Sequence, residues 1–150
     1  MRLYRIAYAH CDIPCGIYDP HNAQMAAHTI IRMTQLLEET KRDSLESEHN
    51  IARLTHVKEE HGQLVEEELG TLENDYFKEE HFKKFPKLKD LLARGVKLSI
   101  TTRQNIDMKS AEELLKITQE IAEIFFKTKG AVPVRVKSLY PTQGEIVTHK

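Results

Sequence analysis

The run His10-Cys11-Asp12-Ile13-Pro14-Cys15-Gly16-Ile17-Tyr18-Asp19-Pro20 divides the chain into two parts with different physics. Up to Tyr18 there is no helical repeat of apolar residues, and Pro14 and Gly16 mark the backbone as turning. From Asp19-Pro20 onward the pattern is helical: aspartate accepts from the orphan amides of a first turn, and proline has its φ preset for the first helical position. Both cysteines of the 150-residue chain fall inside this run, one of them directly after a histidine. Two soft sulfur ligands and an imidazole in an irregular segment point to a metal hook. The plain alternative for Cys11 and Cys15 is a disulfide or a pair of thiols.

Downstream of Pro20 the spacing predicts an all-α fold. A first helix runs from Pro20 to about Lys41, with Ala23, Ala26, Ile30, Met33 and Leu37 on one face. Asp43 and Glu46 are spaced as a capping box for a second helix with the stripe Ile51, Leu54, Val57, His61, Leu64, Val65, Leu69 and Leu72. Pro86 opens a third, whose predicted buried side is Leu88, Leu91, Leu92, Val96 and Ile100. In it Gly95 weakens the helix by about 1 kcal/mol relative to alanine. Ser110 and Glu113 read as the cap of a fourth helix with Ala111, Leu114, Ile117, Ile121, Ile124 and Phe125 inside and Gly130 as its stop. Four amphipathic helices with short joints make an antiparallel four-helix bundle. The expected organisation is therefore a segment 1–9, a hook 10–19, a bundle 20–130 and a tail 131–150. In the tail Val132, Val134 and Val136 alternate around Pro133 and Arg135 as in an extended strand, and Pro133 argues against a central strand position. The expected reading is a tail lying on the bundle or on a neighbouring subunit, with plain disorder as the alternative.

With 22 basic and 23 acidic side chains the net charge is -1, which offers no basic footprint for nucleic acid. No apolar run approaches the roughly 20 residues that cross a bilayer. Residues 1–9 are too short and too early interrupted by Arg5 for an export signal, so a cytoplasmic location is expected, where thiols stay reduced. They end in Ala7-Tyr8-Ala9, which imitates a small-x-small cleavage site; a short strand or frayed terminus is the bland reading of the same residues.

Cleavage before His10 would change the chemistry of the hook. A free amine on His10, the amide nitrogen of Cys11 and the Cys11 thiolate form two fused five-membered chelate rings, and Cys15, four residues on, closes an N2S2 square. Planar sites of this kind suit nickel(II) or copper(II), whereas zinc prefers a tetrahedron. The His10 imidazole is left as an axial ligand. Thiolate and deprotonated amide donors stabilise the higher oxidation state, so a one-electron cycle becomes accessible.

At this point the run His-Cys-Asp-x-Pro-Cys-Gly-x-Tyr-Asp-Pro resembles the hook of the nickel superoxide dismutase family, and Asp75-Tyr76-Phe77-Lys78 with His81-Phe82 and Phe85-Pro86 resembles a second segment of that family. The resemblance runs from His10 to about Lys129. It implies removal of an N-terminal leader by a processing peptidase, a four-helix bundle assembled as a homohexamer, and one nickel ion per subunit. By the same resemblance the ion is held by His10, Cys11 and Cys15 and dismutates superoxide by cycling between its trivalent and divalent states. It further implies that Asp12 steadies the hook, that Tyr18 screens the open face of the metal, and that Tyr76 and Lys78 lie nearby, with Lys78 supplying positive charge for the anionic substrate.

Two positions depart from the family's pattern. Where some members fix the axial imidazole with an acidic residue on the first helix and an arginine on the second, this chain has Ala26 and His61, with Glu59 and Glu60 as nearby substitutes. Two other classes compete with the redox enzyme: a non-catalytic nickel or copper-binding bundle with the same hook, and a helical interaction protein with incidental cysteines. A ferritin-like di-metal centre is disfavoured, because Glu-x-x-His occurs only at Glu46 and His49.

Overall fold

The computed structural model describes residue 13 and residues 15–150. Residues 1–12 and 14, including the expected leader and His10, Cys11, Asp12 and Pro14, lie outside the described residues. The elements are α1 (His21–Glu39), α2 (Leu45–Thr71), a π-helical turn (Leu72–Tyr76), α3 (Glu79–Lys84), α4 (Leu88–Gln104), α5 (Met108–Thr128), β1 (Pro133–Lys137) and β2 (Glu145–His149). Helix α1 packs on α2, α2 on α4, α4 on α5, and α5 returns to α1, which closes a four-helix bundle. Among the described residues no helix is long and apolar enough to cross a membrane.

The ends of the helices follow capping chemistry, with two shifts from the sequence reading. The Asp19 carboxylate accepts from the His21 amide at 2.7 Å, as its position before Pro20 predicts. The α2 cap is Ser44, not Asp43. Ser44 accepts from Ser47 N–H at 3.1 Å and the Ser47 hydroxyl answers from the Ser44 amide at 3.0 Å, because Ser44 has the extended backbone that a cap requires. Likewise α5 is capped by Asp107, whose carboxylate takes the Ser110 amide at 3.2 Å and the Ser110 hydroxyl at 2.6 Å; Ser110 is inside the helix. Those bonds favour the ionised acid and hold the Asp107 carboxyl below its ordinary range. Gly130, at φ +74°, ends α5 in a Schellman motif in which Ala131 N–H reaches Phe126 O and Gly130 N–H reaches Lys127 O.

The core contains the predicted faces of α1 and α5, including Ala23, Ala26, Ile30, Leu114, Ile117, Ile121 and Phe125. On α2 the buried seam is Lys58, Gly62, Val65, Leu69 and Leu72, and most of the predicted stripe flanks it half-buried. The reason is what α4 presents there. Ile100 faces solvent, and the inner side of the second half of α4 is Ser99 and Thr102. The Lys58 ammonium donates to the carbonyls of Thr102, Arg103 and Asn105, the orphan acceptors at the end of α4. One turn away the Arg103 side chain lies over Gly62 and pairs with Glu59 at 2.7 Å and Glu66 at 3.0 Å; the Glu59 hydrogen bond first, then both carboxylates, raise the pKa of this arginine.

At Gly95 α4 lies close against α2 and α5. A Cβ there would lie 2.5 Å from Leu69 Cδ1 and 3.4 Å from Ile117 Cγ2, and Leu69 is fully buried. Helix propensity alone favours alanine by about 1 kcal/mol. Overpacking of a filled core costs about 1 to 3 kcal/mol, so Gly95→Ala is expected to lower the urea midpoint.

The tail is a β-hairpin with Pro133 paired to His149 and Lys137 to Glu145. The outer edge of β2 is closed by side chains of the bundle. The Gln24 amide accepts from Val147 N–H at 2.8 Å and donates to Val147 O at 3.1 Å, as a neighbouring strand would. Gln119 and His28 both donate to Glu145 O, at 2.7 and 3.1 Å. Arg135 of β1 anchors the other strand to Glu123 at 2.7 Å. Pro133 sits on this outer strand, where no ladder donor is lost.

His28 gives this docking a pH dependence. Its Nε2–H donates to Glu145 O, so Nδ1 accepts from the Thr142 hydroxyl at 2.7 Å and the ring is neutral in the folded state. Burial pushes its pKa below 6.5, only partly opposed by the Glu145 carbonyl. The unfolded ring therefore binds a proton first, and stability that is complete above pH 6.5 declines as pH falls below it. The protection factor of the Val147 amide, its exchange relative to the intrinsic rate at each pH, is expected to hold from about pH 8 down to that point and to fall below it, while a His28→Gln variant shows no such inflection.

Candidate metal centre

Of the predicted ligands, Cys15 is the one among the described residues. It is exposed, and Ile17 N–H donates to its Sγ at 3.5 Å, across the turn that Gly16 makes at φ +70°. A donor aimed at sulfur suits the thiolate, the form that binds a metal. The turn also delivers the chain to the bundle: Tyr18 packs against the core, and Asp19 and Pro20 begin α1 immediately after it. Among the described residues no group of three or more His, Cys, Asp and Glu is placed to hold a metal. The other expected ligands, His10 and Cys11, and the Asp12 expected to steady them, lie outside the described residues.

Beyond Cys15 the predicted residues come together as an aromatic wall. The rings of Tyr18 and Tyr76 are 5.5 Å apart, and Tyr76 also packs on Phe125 at 4.6 Å, on Phe77 at 5.1 Å and in a stack on His81 at 5.8 Å. Tyr76 is positioned by the π-helical turn that follows α2, and Phe77 anchors the exit from that turn in the core. Lys78 N–H donates to His81 Nδ1 at 3.0 Å, so the proton of that imidazole is on Nε2. Lys78 Nζ turns away to Asp75 O at 2.8 Å.

Thr128 and Lys129 are part of this site, although no motif marked them. The Thr128 hydroxyl is 2.6 Å from Phe125 O, a carbonyl that can only accept, and 2.6 Å from the Tyr76 phenol. The threonine proton is committed to the carbonyl, so Tyr76 is the donor in the second bond. Lys129 Nζ lies over the Tyr76 ring, 4.8 Å from its centroid. A helix C-terminus 52 positions away in the chain gives no sequence signal for such contacts.

A notch of about 180 Å³ opens beside Tyr18, lined by Ile17, Asp19, Asn22, Glu68 and Thr71. Asn22 donates to Glu68 at 3.1 Å across its floor. Of the positions that depart from the family's pattern, Ala26 is buried in the core and His61 donates from Nδ1 to Val57 O at 2.8 Å, on its own helix.

The sequence profile described as nickel-containing superoxide dismutase matches residues 5–129. The superoxide dismutase [Ni] of Streptomyces seoulensis is 33% identical over 123 residues, covering 82% of this chain and 90% of that protein. The protein of the same name from Streptomyces coelicolor is 32% identical over the same shares. A native nickel superoxide dismutase structure superposes with a TM-score of 0.73 at 31% identity, covering 81% of this chain and 100% of the other. The hairpin begins at Pro133, past the last matched residue. A hook cysteine poised before a tyrosine wall, on a bundle matched along its whole length, places the chain in the nickel-containing superoxide dismutase family.

Proposed function

We propose that the chain dismutates superoxide to oxygen and hydrogen peroxide at a nickel ion held by His10, Cys11 and Cys15, after the bond between Ala9 and His10 is cut. The observation that carries the reading is the Tyr18–Tyr76 wall three residues beyond a cysteine whose sulfur already accepts an N–H, in a chain of this family. His10 would supply its terminal amine and imidazole, Cys11 its amide nitrogen and thiolate, and Cys15 its thiolate. Bound there, nickel supplies a one-electron couple that takes an electron from one superoxide and gives it to the next.

The protein's own residues govern access and protons. Superoxide is a small anion that needs little shaping, so the wall serves to exclude bulk water and larger reductants from the thiolates. Tyr76 donates to Thr128, so its phenol oxygen keeps its lone pairs as an acceptor and can order a water. Two protons are consumed for each peroxide released, and water held at the Tyr18 and Tyr76 oxygens is their route. Asp12 steadies the hook by hydrogen bonds, and Lys78 adds positive charge at the end of the wall. Assembly as a hexamer, removal of residues 1–9 by a peptidase and residence in the cytoplasm complete the reading.

Protein with residues 1–9 removed, loaded separately with nickel, copper or zinc, tests it. The expected result is one nickel per chain and dismutation with nickel only. Equal activity with zinc, or tight nickel binding without turnover, would leave the metal-binding module as the better account.

A further inference from the structure

We infer that Lys129 is the cation that draws superoxide onto the Tyr18–Tyr76 face, a positioning residue for substrate capture; this rests on the proposed dismutation. Three observations carry it. The ammonium lies 4.8 Å from the Tyr76 centroid and 5.7 Å from that of Phe125, so it is held above the wall by the two ring faces instead of sweeping through solvent. Its backbone is fixed as well: Lys129 N–H donates to Phe125 O and Phe126 O, and the Schellman turn at Gly130 leads the chain away, which leaves the side chain directed at Tyr76.

The surrounding charges then decide the direction of approach. On the notch side of Tyr18 the carboxylates of Asp19 and Glu68 repel an anion. Lys78, the lysine suggested by the sequence, has its ammonium turned to Asp75 O at the end of the wall instead of lying over the Tyr76 ring. Lys129 comes from a different element and is the one cation placed over the Tyr76 ring among the described residues. A small anion is therefore guided across the Lys129 side of the wall, and the effect is on capture rate more than on chemistry after binding.

The test compares Lys129→Gln, Lys129→Arg, Lys78→Gln and Lys116→Gln, all with residues 1–9 removed and nickel content matched. Lys116 lines a groove with Arg94 and Glu113 and controls for the change in net charge. At limiting superoxide and low ionic strength, Lys129→Gln is expected to be slower by about three- to tenfold and to lose most of the salt dependence of the rate. Lys129→Arg should keep both, and Lys116→Gln should match the parent. A parent-like rate and salt slope in Lys129→Gln, or a larger loss of slope in Lys78→Gln, would overturn the assignment.

A second readout needs no metal. In the nickel-free protein the Lys129 ε-methylene protons should resonate upfield of the other lysines and return to them in Tyr76→Leu; a Lys129 signal already among the others overturns the placement. A parent that shows no dismutation at all would fail the functional reading, and this nickel-free measurement then decides the position of Lys129 by itself.

Discussion

Protein that keeps residues 1–9 attached to His10 is expected to fold as the same bundle yet show dismutation about a thousandfold or more below the processed chain, the equivalent of roughly 4 kcal/mol of lost barrier lowering. The reason is the nitrogen of His10. In a peptide bond its lone pair is delocalised into the carbonyl, so the first chelate ring of the proposed N2S2 set cannot form, and the adjacent Cys11 amide loses the partner that helps deprotonate it. Bundle stability has no part in this, because α1 starts at His21 and draws its cap from Asp19. Circular dichroism and urea midpoint should therefore be unchanged while nickel content and activity fall together. A Cys15→Ser variant of the processed chain makes the matching case: the oxygen is a poor ligand for nickel, the fold is untouched, and activity is lost with the metal. Full activity in the uncut chain would dismiss the amine as a ligand.

The largest expected effect on stability belongs to a residue outside the candidate site. Lys58 is 2% exposed, and its three ammonium hydrogens are matched by three carbonyls at the end of α4. Desolvation lowers its pKa and the Glu59 carboxylate opposes that, yet the arrangement needs the charged form, since only the ammonium has three donors. Lys58→Met keeps the buried methylenes and removes every donor, which leaves the carbonyls dry and unpaired. The expected loss is about 2 to 4 kcal/mol in urea unfolding, accompanied by fraying of the last turn of α4 seen as faster exchange at Asn105. A variant as stable as the parent would show that water replaces the ammonium at those carbonyls.

The α1 and α5 faces could be read from sequence because their apolar residues repeat at helical spacing and their partners are other apolar faces. In the seam that α2 presents, Val65, Leu69 and Leu72 could be read in the same way, but Lys58 and Gly62 could not, since their burial is explained only by the carbonyls of α4 and the stem of Arg103. The caps at Ser44 and Asp107 were misplaced because several acceptor residues stand in a row, and backbone dihedrals choose among them. The strand alternation of the tail was legible at Val132 to Val136, but its partner Glu145–His149 was not. Gln24, His28 and Gln119 gave no hint that they serve strand backbone more than 20 positions away. At the site, Cys15, Tyr18 and Tyr76 were legible through the hook and its companion segment. Thr128 and Lys129 were not, because a hydroxyl and an ammonium at a helix end look like ordinary surface chemistry until the Tyr76 ring is placed beneath them.

The hairpin also settles a practical matter for anyone handling this protein. It runs out along the bundle and back, so that Lys150 N–H ends bonded to Val132 O, two residues past the glycine that closes α5. The last residue is thereby returned to the chain just past the end of α5. An affinity tag or fluorescent fusion joined after Lys150 would start beside Val132, against the closed end of the hairpin, and the turn at Leu139, which is 99% exposed, is the better place to insert a label.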